Sequence, residues 1–187
     1  MLCLILIILY RPLLAQHWRI FRTRFWRNAA FVVAGAIAMQ IVVSAVRAVV
    51  PNPAQPDDGA EALLDPATAA GGELALLFSL ALGPLAIVMV EEAVFRHTLL
   101  VKLPLWGSKA LAVAGVLLNG AIFGAIHYQN FGSLQGTVPF MVVGVLFNLV
   151  YLWKRNLWHV ILMHLVNNFV LTYGALILVV VLRDAVG

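Results

Sequence analysis

Five long apolar runs, parted by short stretches where prolines, glycines and charges gather, set the plan of this chain. The first extends from Ala29 to Val50, about 22 residues, which at about 1.5 Å per residue crosses the hydrocarbon core of a bilayer. The others run from about Glu73 to Val101, Lys109 to His127, Val138 to Trp153 and Leu157 to Leu182, with polar punctuation at each junction. Ahead of them, MLCLILIILY is apolar but too short to span alone. Continued through Pro12 to Ala15, it fits a short, broken or interfacial helix, or the remnant of a longer span. The pattern predicts an all-α, polytopic membrane helix bundle with about five spanning helices. It divides into an amino-terminal apolar and basic interfacial segment (1–28) and a membrane-embedded helical domain (29–187).

Composition sharpens this plan. Of 187 residues, 63% are hydrophobic and 11% charged, and the mean hydropathy is +0.99, which excludes a soluble domain. Cys3 is the single cysteine, so neither an intramolecular disulfide nor a thiolate metal cluster can form. The net charge of +4 comes largely from arginines between Arg11 and Arg27, interleaved with Trp18, Phe21, Phe25 and Trp26. That mixture suits a headgroup anchor and implies no nucleic-acid partner. The link PNPAQPDDGAEALLDPATAAGG carries four acids and no Lys or Arg, so charge bias places it outside. The same bias assigns Arg11–Arg27, Lys102 with Lys109, and Lys154 with Arg155 to the cytoplasmic side. A multi-pass protein of the bacterial plasma membrane is expected, with the lipid bilayer as its first partner.

Against this background the ionisable residues inside the spans stand out. A charge at the centre of a membrane helix costs about 2.5–3.5 kcal/mol on insertion scales, yet Glu91, Glu92 and Arg96 fall within six positions of the second run. Glu92 and Arg96 are four apart and share a face, whereas Glu91 points about 100° away. The spacing divides the labour: Glu92 pairs with Arg96, and Glu91 faces a polar cavity as a candidate general base. The alternative is a purely structural ion-pair network. Asn119, Phe123 and His127 form one stripe on the third run, and Gly120 with Gly124 makes a small-xxx-small surface beside it that calls for close helix approach. On the last run, His164 and Asn168 are also four apart, and both can donate toward a developing oxyanion. Asn167 is the adjacent alternative. His159 is expected at the bilayer interface, and Phe140, Phe147 and Trp153 are expected to pack or meet lipid. Counted from the cytoplasmic ends, His127 lies roughly 27 Å and His164 roughly 12 Å along their helices, so a single site requires tilts or kinks.

Together these residues resemble the CAAX prenyl endopeptidase and bacteriocin-processing (CPBP, or Abi) family of intramembrane proteases. EEAVFR matches its EExxxR motif at Glu91, Glu92 and Arg96, FGAIH matches FxxxH at Phe123 and His127, and HLVNN matches HxxxN at His164 and Asn168. The resemblance covers roughly residues 75–175 and extends to NLWHVILMH. It departs at His97, where the family usually has glycine. It implies an intramembrane endopeptidase acting on a membrane-anchored protein or precursor peptide. Glu91 would activate a water with help from His127, His164 and Asn168 would stabilise the oxyanion, and Glu92 and Arg96 would support the site. No cofactor is expected, with zinc held by two histidines and a glutamate as the alternative. Two other classes remain open: a non-enzymatic immunity or partner-binding protein, and a small transporter using the same groups as a proton relay.

Overall fold

The computed structural model describes residues 2–51, 65–102 and 106–186. Their regular structure is entirely helical: α1 (Leu2–Arg22), α2 (Phe25–Val49), α3 (Gly71–Leu80), α4 (Leu82–Glu92), a π-helical stretch π1 (Ala93–Val101), α5 (Lys109–Ala125), the single turn α6 (Tyr128–Phe131), α7 (Leu134–Lys154), α8 (Leu157–Phe169), a second π stretch π2 (Val170–Gly174) and α9 (Ala175–Val186). Four units are long and apolar enough to cross a bilayer: α2, the continuous Gly71–Val101, α7, and the continuous Leu157–Ala185. The shorter apolar α5, with 17 residues, completes the five expected runs. Most of the acidic link expected at 51–72 lies outside the described residues.

Helix boundaries follow from local chemistry. Ser108, Ser133 and Asn156 cap α5, α7 and α8 by accepting from the backbone N–H of Leu111, Gly136 and Trp158 at 3.2, 3.0 and 2.9 Å. Ser133 accounts for α7 beginning at Leu134, four residues before the apolar run alone suggests. Arg155, in the left-handed region at φ 49°, ends α7 by sending its N–H to the Tyr151 carbonyl.

The amino-terminal helix is organised by its contacts. Along α1, Tyr10 bonds the Thr98 hydroxyl. The Leu14 carbonyl accepts from the Trp158 indole at 2.8 Å. At His17, the carbonyl accepts from Asn156 and the ring Nδ1 accepts from the Leu157 N–H. All these partners lie at the end of π1 or the start of α8, the end of the bundle that carries Lys102, Lys154 and Arg155. This stretch of α1 is therefore tied to the region where π1 ends and α8 begins.

The tightest seam is α5 against α7. Backbone approaches backbone at Gly120, Gly124 and Gly144, where a side chain would collide: a β-carbon on Gly124 would sit 2.3 Å from the Met141 nitrogen, and one on Gly144 would sit 2.7 Å from the Gly120 carbonyl oxygen. Two asparagines reinforce the bundle core. Asn119 donates to the Phe95 carbonyl at 3.0 Å and Asn148 to the Val116 carbonyl at 2.8 Å, each satisfying a backbone acceptor across helices where no water competes. Outward-facing Ile37, Ile41, Leu118 and Val181 stay exposed, which suits a surface solvated by lipid.

One expectation is overturned at the base of α8. His159 does not face the bilayer interface: it is only 4% exposed, its ring 5.1 Å from Phe21 and 5.6 Å from Phe31. The helical wheel placed it away from His164, but α1 and α2 cover that face. Neither of its ring nitrogens has a hydrogen-bond partner among the described residues.

Candidate active site

The α4 helix widens into π1 directly after Glu92, a backbone irregularity of the kind that often sits at functional sites. The two glutamates at this junction diverge, as their spacing requires. Glu92 is fully buried and its Oε2 lies 3.0 Å from Arg96 Nε. The guanidinium, equally buried, stands 4.3 Å over the Phe123 ring, 5.4 Å from Phe147 and 5.7 Å from Phe95. Its two terminal nitrogens have no hydrogen-bond partner among the described residues, so aromatic faces supply the solvation that water would otherwise give.

Glu92 also reaches α8. Its Oε1 lies 2.8 Å from His164 Nδ1. An ionised carboxylate only accepts, so the imidazole donates through Nδ1–H and turns Nε2 toward Glu91, whose Oε2 is 3.8 Å away. Arg96, Glu92 and His164 thus form one chain of close polar contacts leading from the core toward Glu91 on a cavity wall.

That cavity, about 610 Å³, is lined by Glu91, His127, His164 and Asn168 together with Phe123, Phe140 and Phe147. Five of the six sequence-nominated polar positions are therefore tied to one place through side chains or lining, and the sixth, Arg96, stands behind Glu92. His127 caps the end of α5; its Nδ1–H donates to the Phe123 carbonyl at 2.9 Å, leaving Nε2 as an acceptor, and its ring stacks on Phe140 at 5.1 Å. The difference in depth between His127 and His164 is bridged by Phe123, whose ring is 5.9 Å from His164 and 5.4 Å from His127. Asn168 donates to the Pro84 carbonyl at 2.9 Å and accepts from Asn167 at 3.2 Å, which leaves its second N–H uncommitted.

The aromatic residues of α7 divide. Phe140 and Phe147 line this cavity, contrary to a role confined to packing and lipid contact, because α7 presses that face against α5; Trp153 is 71% exposed as expected. His97 lies elsewhere, its Nδ1 3.1 Å from the Tyr151 hydroxyl. Gln40 and Arg47 of α2 also line the cavity, and Gln40 bonds the Asn167 side chain. The sequence signal was present: Gln40 is a lone amide in an apolar span. Among the described residues no three His, Cys, Asp or Glu side chains converge to hold a metal ion.

No curated protein and no solved structure matches the chain. The family model described as type II CAAX prenyl endopeptidase, Rce1-like, matches residues 73–170, a stretch that contains all three motifs and every polar group of the cavity except Thr172 and those on α2. With more than half of its length matched, and with membrane-spanning helices carrying the matched residues, the chain belongs to the Rce1-like family of type II CAAX prenyl endopeptidases, a family of membrane-embedded proteases.

Proposed function

We propose that this protein is a glutamate-dependent intramembrane endopeptidase that cleaves a membrane-anchored protein or precursor peptide by water attack. The observation that carries this reading is the division between the paired acids. Glu92 is buried against Arg96 and His164, while Glu91 lines the cavity together with His127. A water held between the Glu91 carboxylate and the acceptor Nε2 of His127 gives up its proton to Glu91 as its oxygen attacks the scissile carbonyl. His164 and the uncommitted N–H of Asn168 donate to the oxyanion. Such preorganised donors are each worth about 3–4 kcal/mol in a water-poor site. Glu92 holds His164 in orientation, and Arg96 holds Glu92. The proton taken by Glu91 then passes to the leaving amine, and the C–N bond breaks.

No step here needs a metal. The basic ends, Arg11–Arg27, Lys102, Lys109, Lys154 and Arg155, face the cytoplasm in this reading, and the membrane is the bacterial plasma membrane.

The test is cleavage of a panel of membrane-anchored peptides by purified protein in nanodiscs, comparing wild type with Glu91→Gln and His164→Ala, each with and without a strong chelator. Cleavage that survives chelation and disappears in both folded variants is expected. Loss on chelation with recovery on adding zinc would replace the mechanism by a metal-dependent one, and cleavage retained by Glu91→Gln would remove Glu91 from it.

A further inference from the structure

The cavity extends beyond the catalytic groups. Its wall follows α2 through Met39, Gln40 and Val43 to Arg47, and Arg47 with Phe131 also lines a second cavity of about 480 Å³ bounded by Gln135 and Pro139. Arg47 stands where the two hollows adjoin. It is the one Lys or Arg among the described residues lining either hollow, and no described carboxylate lies within ion-pair distance of it.

A register along α2 locates this charge relative to the chemistry. Gln40 bonds Asn167, the neighbour of Asn168, and so marks the level of the catalytic groups. Arg47 is seven residues farther on the same helix face, about 10 Å along the axis. An extended peptide covers that distance in about three residues. The path between them is lined mainly by apolar side chains, so a guanidinium with no carboxylate partner among the described residues, at its far end, is matched by one chemical feature of a bound chain: a carboxylate.

We propose that Arg47 is a specificity-determining residue that binds a substrate carboxylate, either an acidic side chain or a chain terminus, about three residues from the scissile bond. The proposal rests on the reading of the cavity as the protease site. Arg47 takes no part in the chemical step. It raises the affinity of one class of peptide and fixes its register over Glu91.

The test uses paired peptides differing only as Glu or Gln at each position from two to five residues on either side of the cleaved bond, plus terminal carboxylate and amide pairs. kcat/KM is measured for wild type, Arg47→Gln and Arg47→Glu in zwitterionic and in anionic nanodiscs. Wild type should prefer the carboxylate by roughly tenfold at one position near the third, the size of a charge-assisted hydrogen bond. Arg47→Gln should erase that preference, lowering kcat/KM for the carboxylate peptide by roughly tenfold more than for its neutral partner, and Arg47→Glu should favour a Lys peptide instead. The same Glu-to-Gln ratio in wild type and Arg47→Gln would overturn the proposal. So would a loss that is equal for both peptides and tracks nanodisc charge, since Arg47 would then serve a lipid headgroup. Equilibrium binding of the same fluorescent peptide pairs to the Glu91→Gln protein separates the two readings: selective binding without any cleavage by wild type sinks the protease assignment and leaves the Arg47 subsite standing.

Discussion

Replacing Gly124 by alanine isolates the seam on which the site is built. The added β-carbon would sit 2.3 Å from the Met141 backbone nitrogen and 2.6 Å from its Cα. Ordinary contact begins near 3.4 Å, so α5 and α7 must part by roughly 1 Å, and backbone atoms cannot rotate aside as a side chain would. Overpacking of this kind costs about 1–3 kcal/mol. Alanine returns about 0.5–1 kcal/mol through its better helix propensity, leaving a net loss of roughly 1–2 kcal/mol. At about 2–4 °C per kcal/mol for a chain of this size, Tm should fall by about 2–8 °C. The internal control is Gly83→Ala: Gly83 lies in α4 with nothing within 4 Å of its would-be β-carbon, so only the propensity gain remains and Tm should hold or rise. The assay is thermal unfolding of both variants in one detergent, alongside peptide cleavage. Activity of Gly124→Ala should fall further than its stability, because Phe123 and His127 move with α5. A Tm for Gly124→Ala equal to or above that of Gly83→Ala would refute the close-packed seam.

Two further outcomes follow from the buried polar groups. Arg96→Ala leaves the Glu92 carboxylate buried beside His164 without its cation and should destabilise the protein by about 3–5 kcal/mol; Arg96→Lys should rescue little, since an ammonium cannot spread over the Phe123 and Phe147 faces, and a Tm within 2 °C of wild type for either would contradict this account. His159→Phe should be neutral or stabilising in the same unfolding assay, because the imidazole makes no hydrogen bond among the described residues and packs between Phe21 and Phe31; a marked drop in Tm would reveal a polar partner for it.

The spans themselves were legible because lipid imposes one rule on every position: each backbone group must be satisfied within its own helix, so apolar length alone marks a crossing. The continuous helices Gly71–Val101 and Leu157–Ala185 fell where the hydropathy placed them, and the polar stripe of Glu91, Glu92 and Arg96 could be resolved into two faces from the 100° step between neighbours. The pairing of Glu92 with Arg96 needed nothing more, since both partners lie on one helix. Gly120 and Gly124 likewise announced a close approach, though not that α7 would be the partner or that Gly144 would answer them.

What the chain's own order could not give was distance between helices. His159 was assigned to the interface because its neighbours in sequence say nothing of α1 and α2, whose Phe21 and Phe31 enclose it. Phe140 and Phe147 became cavity walls only once α7 was pressed against α5. Arg47 joined the site through the path of α2 beside α8, fixed by the Gln40 to Asn167 contact. Local periodicity therefore determined which residues are costly in a membrane and which face of its helix each occupies. Tertiary packing alone decided which of those faces meet, because helices of similar apolarity have no sequence-level preference among neighbours until small residues, buried amides and aromatic shapes are brought into contact.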